Sequence, residues 1–494
     1  MLEALIAGLG LILSWPAIGL MFVGIGAGFV VGILPGIGGA TALALMLPFI
    51  FKMQPAEAFA FLLGMSSVVA MTGEITSILF GVPGEPVTAA TIVDGHTMAK
   101  QGEAGRALGA ALFGALIGAL FGAISLMITI PIVQPFLRSF GSPEFLMFAV
   151  VGIAFVSSLT GSNPVKGFAA AGLGLMLSMV GQAPGTATLR YTFDQLYLWE
   201  GIRIVPATLG LFAIPELIDL AIHRTSIARR DVGALGGLRQ GFADVLRHRW
   251  LALRCCVIGA VVGVAPGIGG NGAQWVAYGH AVQSSSDPKR FGRGAVEGVI
   301  APAIASAGER TSALIPTVAF GIPGNVSTAV LLGAFIIQGL VPGREMLTTK
   351  LSLTFGMAWT MILSNIIAIT LILLLAKRLV GITRIRGGLL VPPLIVLVFL
   401  GAYAERNTLF DVLIALIFGV LGVAMVELGW PRAPLILGLV LGAVIENYLA
   451  LSVSRYEAEW LLRPFVVVML LLSAGVALSP YLQAWRRRRR RAAT

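Results

Sequence analysis
Long apolar runs dominate the chain, and their few polar interruptions recur at matching places. In the first half, one run extends over about 16–51 and another over 56–71, followed by apolar stretches near 108–133, 145–159, 167–180 and 204–222. The second half repeats the scheme with interrupted runs near 257–282 and 299–337, then stretches near 353–376, 389–402, 412–426 and 434–449. A last apolar run covers 462–484. Runs of this kind cross most or all of a hydrocarbon core roughly 30 Å thick, at about 1.5 Å per helical residue. The short alternating strands of a membrane β-barrel are absent from the pattern. It predicts an all-α polytopic membrane protein with about 12 membrane segments.

The interruptions carry the organisation. Pro35-Gly36-Ile37-Gly38-Gly39 returns 231 positions later as Pro266-Gly267-Ile268-Gly269-Gly270. Phe80-Gly81-Val82-Pro83-Gly84-Glu85 returns 240 positions later as Phe320-Gly321-Ile322-Pro323-Gly324-Asn325. Weaker similarity links Pro206–Leu211 with Pro434–Leu439. Two motifs doubled in the same order indicate an internal duplication, which in an apolar chain is the pattern of a transporter with discontinuous helices. The expected fold is two inverted-topology repeats with Pro-Gly broken helices or re-entrant hairpins. The expected division is a first repeat over 1–223, a basic linker over 224–254, a second repeat over 255–449, and a terminal helix with its tail over 450–494.

Composition agrees. Of 494 residues, 57% are hydrophobic and 12% charged, with mean hydropathy +0.92, whereas soluble domains carry about 25% charged residues. The net charge of +11 invites a nucleic-acid reading, but its location excludes one. Residues 224–254 are net +5, and the six arginines Arg486–Arg491 supply the rest. Basic clusters beside spans mark the cytoplasmic side and meet anionic lipid headgroups. Met1–Ser14 lacks the basic start of a cleaved signal peptide and is read as part of the mature protein. The N-terminus is expected outside, the linker, the basic stretch 377–386 and the C-terminal tail inside, which gives the repeats opposite topology.

In lipid, unwound backbone survives only within protein or beside a wet cavity. A helix broken at the midplane presents N–H groups and about half a positive charge at its new N-terminus, which suits a carboxylate, while freed carbonyls suit Na⁺. Small polar residues crowd the breaks: Thr41, Thr88 and Thr91 in the first half, Asn271, Gln274, Asn325, Ser327 and Thr328 in the second. Together with Pro35, Gly36, Gly38, Gly39, Pro83, Gly84, Pro266, Gly267, Gly269, Gly270, Pro323 and Gly324, they form the candidate substrate and ion site. The bland alternative is that many of the 62 glycines merely allow close helix packing.

Acids inside or near apolar runs are functional candidates by default. Glu216, Glu427 and Glu446 lie near expected span ends and read as interfacial; Glu74 and Asp94 bracket the first hairpin and are candidates for coupling or gating. His96 and His280 are single, and the adjacent Cys255 and Cys256 read as packing residues, so no resident metal is expected. No phosphate-binding Gly-Lys-Ser/Thr loop and no nucleophile–base set is present, so neither an ATP-driven pump nor an enzyme is read here. No cofactor is expected beyond Na⁺ or H⁺ as coupling ion.

At these motifs the chain resembles the large membrane subunit of the tripartite tricarboxylate transporters, the TctA family, over nearly its whole length. The resemblance rests on Gly32–Gly39, Gly73-Glu74-Ile75-Thr76-Ser77-Ile78-Leu79 through Pro83-Gly84, Thr91-Ile92-Val93-Asp94-Gly95, and Arg106-Ala107-Leu108. It continues in Pro266–Gly270, Phe291-Gly292-Arg293-Gly294, Glu297-Gly298-Val299-Ile300-Ala301-Pro302, Leu314-Ile315-Pro316, Gly321-Ile322-Pro323-Gly324 and Leu331-Leu332-Gly333-Ala334. Leu441-Gly442, Glu446-Asn447 and Arg463-Pro464-Phe465 also fit. It implies a permease of the bacterial inner membrane that imports small carboxylates, citrate among them, on a cation gradient. It also implies a small four-helix membrane subunit and a periplasmic substrate-binding protein as partners. One stretch departs: Ala303, Ser306 and Ala307 stand where the family carries Glu and an Asn pair, and Glu309-Arg310 replace small residues. Citrate is therefore not carried over as substrate. Glu309 and Arg310 join Glu74 and Asp94 as candidates for coupling or gating, and two arrangements fit them: an internal compensating pair, or Arg310 facing a substrate carboxylate. An anion channel, a carrier working without a binding protein, or a purely structural subunit remain the competing classes.

Overall fold
The computed structural model describes residues 1–32, 38–81, 83–137, 140–159, 164–183, 186, 188–222, 236–265, 269–382, 391–476 and 478. Helix α1 (Leu2–Leu13) meets α2 (Ala17–Gly32) at 66°. After the first Pro-Gly motif come α3 (Gly39–Met46) and α4 (Pro55–Phe80), which starts on Pro55 with the Gln54 amide donating to Glu57 Oε2 at 3.0 Å. Next come α5 (Ala89–Lys100), α6 (Ala104–Leu137), α7 (Ser142–Leu159) and α8 (Pro164–Ser178). A two-residue antiparallel pair, Gly181–Gln182 with Leu189–Arg190, leads to α9 (Ile204–Thr208), which runs through a π-helical turn into α10 (Ile214–Ile222).

The segment expected as a basic linker carries α11 (Leu238–Arg247), and α12 (Arg249–Val264) starts within it. Beyond the second Pro-Gly-x-Gly-Gly motif lie α13 (Gly269–Ser284), α14 (Glu297–Ser312), α15 (Leu314–Phe320) and α16 (Val326–Ile337). The chain ends with α17 (Leu351–Ile382), α18 (Val391–Ala404), α19 (Leu409–Glu427), α20 (Arg432–Tyr456) and an apolar helix over Pro464–Val476. Five of these helices are long and apolar enough to cross a membrane, α4, α6, α17, α19 and α20, and the bent pair α1–α2 makes a sixth. The other apolar helices are shorter, 10–17 residues.

Glycine ridges explain the packing. On α2, Gly24, Gly28 and Gly32 recur every fourth residue and lie on α4; a Cβ at Gly28 would stand 2.6 Å from the Met65 carbonyl oxygen. On α6, Gly114, Gly118 and Gly122 face α14, and on α12 Gly259 and Gly263 face the same helix, with the Glu309 carbonyl 2.6 Å from a Cβ at Gly263. Small residues at this spacing let backbones approach closely where no water-driven force operates between helices. Helix α4 is 94% buried over an 18-residue apolar window, polar positions such as Glu74 and Ser77 being buried with the rest, so it is the post on which the rest is hung. One buried cluster joins one side of α4 to α3, α9, α16, α19 and α20; the other joins its remaining positions to α2, α6, α12, α13 and α14. The contacts also exchange: α1 lies on α17 and α11 on α6, while α2 packs on α4 and α12 on α14.

Candidate functional site
The doubled second motif folds twice in the same way. Helix α4 stops at Gly81 (φ 68°) and α15 at Gly321 (φ 70°), left-handed conformations that glycine adopts without a Cβ penalty. Each chain then turns through Pro-Gly into an N-cap residue, Glu85 or Asn325, and a threonine three places on ties the loop. Thr88 Oγ1 donates to the Glu85 carbonyl at 2.9 Å, and Thr328 Oγ1 to the Asn325 carbonyl at 3.0 Å. Ser77 on α4 donates to Thr88 Oγ1 at 2.7 Å, binding the first loop to its own helix. The Asn325 amide oxygen accepts from the Thr328 N–H at 2.9 Å, an ordinary cap.

Two adjacent residues of α14 hold these loops. Arg310 forms an ion pair with Glu85 of the first loop and donates to the Ser66 carbonyl on α4 at 3.2 Å. Glu309 accepts from Asn325 Nδ2 of the second loop at 3.0 Å. So Glu309 and Arg310 are not paired with each other; each reaches a different loop. The discontinuous helices arrive at the same place. A Cβ at Gly39, the first residue of α3, would stand 2.6 Å from Glu85 Oε1 and 3.0 Å from Arg310 Nη1, and one at Gly270 3.0 Å from Glu309 Oε2. Gln274 of α13 crosses between halves, donating to the Pro86 carbonyl at 2.7 Å and accepting from the Ala90 amide at 2.8 Å.

A cavity lies at this convergence, lined by Ser67, Glu74, Thr88, Ser306, Arg310 and Asn365 among others, with about 10 Å³ open to the centre of a water molecule. That is on the order of one water. Three buried acids, Glu74, Glu85 and Glu309, lie around the cluster, and of these Glu85 forms the ion pair with Arg310. Glu74 Oε2, Glu85 Oε1 and the hydroxyls of Thr91 and Ser312 are buried without a hydrogen-bond partner. Unpaired carboxylates are expensive away from water, so the cluster calls for protons or a cation to balance it.

The structure thus brings together Gly39, Gly84, Thr88, Gly270, Gly324, Asn325, Glu74, Glu309 and Arg310. Pro35, Gly36, Pro266 and Gly267 lie outside the described residues. Thr41 is buried at the start of α3, whereas Asn271 is exposed and Ser327 half-buried. Asp94 stands apart from the cluster: its Oδ1 accepts from the amides of Gly292, Gly294 and Ala295 at 2.8–2.9 Å, and its Oδ2 from Tyr278 at 2.9 Å. Sequence reasoning missed Glu85 as a site residue, although the 240-residue offset aligns it with Asn325.

A second, wider cavity of about 710 Å³ is lined by Arg190, Trp199, Arg203, Glu405, Arg406 and Glu446 among others. Arg190 pairs with Glu446 at 2.8 Å, and Arg203 and Arg406 both pair with Glu200. Glu216, read as interfacial, pairs with Arg432 at 2.9 Å.

Comparison with known proteins gives a consistent set of similarities. The sequence profile of the family described as "Tripartite tricarboxylate transporter TctA family" matches residues 18–437. An Agrobacterium vitis protein, "Uncharacterized 52.8 kDa protein in TAR-I ttuC' 3'region", is 32% identical over 441 residues, covering 88% of this chain and 87% of the relative. A second protein of that organism, "Uncharacterized protein in TAR-II ttuC' 3'region", is 34% identical over 202 residues, 40% of this chain and 84% of the relative.

Proposed function
The chain belongs to the TctA family of tripartite tricarboxylate transporters, a transporter family and not an enzyme family, and from that premise we propose that it is the large membrane subunit of a secondary carrier importing small carboxylates. The observation that carries this reading is the convergence of both Pro-Gly loops and the starts of α3 and α13 on two adjacent residues of α14, Glu309 and Arg310. A carboxylate of the substrate finds there a guanidinium and the positive ends of discontinuous helices. The excess of acid over base supplies the coupling: a Na⁺ or H⁺ that enters with each carboxylate charge leaves the site's net charge unchanged. With room for about one water, the cavity is closed, so loading requires the loops to move, as alternating access demands.

The exchange of contacts, α1 on α17 and α11 on α6, supports two repeats of inverted topology. In this reading the basic segment 224–254 is cytoplasmic and the ion-paired 710 Å³ cavity faces the periplasm, where a periplasmic binding protein hands over substrate. A small membrane subunit completes the carrier. In this reading the N-terminus is periplasmic, the arginine tail is cytoplasmic at anionic lipid, and the membrane is the bacterial inner membrane.

The test is uptake of labelled di- and tricarboxylates by proteoliposomes holding this chain and its small subunit, with and without binding protein, under an imposed inward Na⁺ or H⁺ gradient. Uptake that needs both is expected. Downhill flux that needs neither would favour an anion channel and overturn the reading.

A further inference from the structure
We propose that Glu85 is a tethered stand-in for the substrate's carboxylate, holding Arg310 while the site is empty and yielding it when substrate enters. The inference rests on the carboxylate-carrier reading and deepens it. Arg310 and Glu85 keep only 10% and 3% of their side-chain surfaces exposed, so their pair is shielded from water. Among the described residues the guanidinium donates to Glu85 and to the Ser66 carbonyl, so its direction is set and its carboxylate place is filled from within.

The duplication isolates what the charge is for. At the equivalent place in the second loop an uncharged Asn325 caps the helix and ties the loop with the same threonine geometry. A carboxylate is therefore not needed for the turn; in the first loop it serves Arg310. Its second oxygen, Oε1, has no partner and lies against Gly39 at the start of α3, where there is no side chain to block a visitor. The cavity beside it holds about one water, so a substrate carboxylate reaches Arg310 only by taking the place of Glu85.

Displacement also links two bindings. An arginine buried this deeply needs an anion in every state, and Glu85, once displaced, is a buried acid without its cation. It then takes up a proton or a metal cation, so substrate arrival creates the demand for the coupling ion at this residue.

The experiment measures equilibrium binding of labelled succinate and citrate to the purified full chain with its small subunit, for wild type, Glu85→Gln and Arg310→Met. Removing the internal competitor is expected to tighten binding by about tenfold or more in Glu85→Gln, whereas Arg310→Met loses it. Wild-type binding with Glu85→Gln unchanged or weaker would overturn the stand-in while leaving the carrier reading intact; no binding of either acid to wild type would overturn both. A second measurement covers poorly active variants: formate should raise the thermal stability of Glu85→Ala, whose carboxylate place is open, and not that of wild type. Equal effects of formate on both proteins would also overturn the proposal.

Discussion
Asp94 shows how a buried acid near a break is spoken for by the fold. Three backbone amides of the 292–295 turn, those of Gly292, Gly294 and Ala295, and the Tyr278 hydroxyl converge on it, so one carboxylate from the first half caps a turn of the second. Hydrogen bonds to a charged group contribute about 1.5–3 kcal/mol each. Asp94→Asn keeps the shape but loses the charge, and it should cost about 2–4 kcal/mol of stability, read as a lower melting temperature in detergent. Glu405, in the loop between α18 and α19, differs in kind. Burial first, then the neighbouring Asp411, pushes its carboxyl up to about 7 from the ordinary 4.5, with Arg203 opposing. The folded protein then holds this proton more tightly than the unfolded chain. The resulting stability is fully present below about pH 4.5 and is lost as pH rises through about 7. Glu405→Gln should flatten that stretch of a melting-temperature profile by on the order of 2 kcal/mol; an unchanged slope would assign the pH dependence elsewhere.

At the scale of elements, the two Pro-Gly loops were legible in the sequence because proline and glycine at fixed offsets punctuate helices wherever they occur. What the pattern left open was the depth of contact. A Cβ at Gly84 would stand 2.5 Å from Gly73 Cα and Thr76 Oγ1, and one at Gly324 2.7 Å from Ala313 Cβ and 2.8 Å from the Gly263 carbonyl. Overpacking of this kind costs typically 1–3 kcal/mol and shifts the loop that carries Glu85 or Asn325. Gly84→Ala and Gly324→Ala should therefore lower uptake at least about tenfold while membrane insertion, followed by fractionation, stays normal. Normal uptake by both would remove the loops from the site. Glu85 was missed because a Pro-Gly-Glu turn reads as a surface cap; its partner stands 225 positions away, and only the folded chain brings α14 across. Of the two roles open for Glu309 and Arg310, the structure speaks against the internal pair, since each residue reaches a different loop.

For the whole molecule, the all-helical membrane fold followed from hydropathy, and the helix starts at Gly39 and Gly269 from the motifs themselves. The number of crossings did not, because half-helices such as α3 and α16 match full spans in composition and differ only in length and partners. Interface acids could not be told from site acids either. Glu446 and Glu216 found arginines far along the chain, and Glu74 found no hydrogen-bond partner for its Oε2, a distinction set by tertiary packing. In the proposed carrier, substrate binds where the broken helices meet, on Arg310. A structure of this chain with its small subunit, determined at saturating concentration of a transported carboxylate, tests it most directly. A substrate carboxylate on Arg310 beside Gly39, with Glu85 turned away, is the expected result. Substrate bound elsewhere, with the Glu85–Arg310 pair intact, would contradict it.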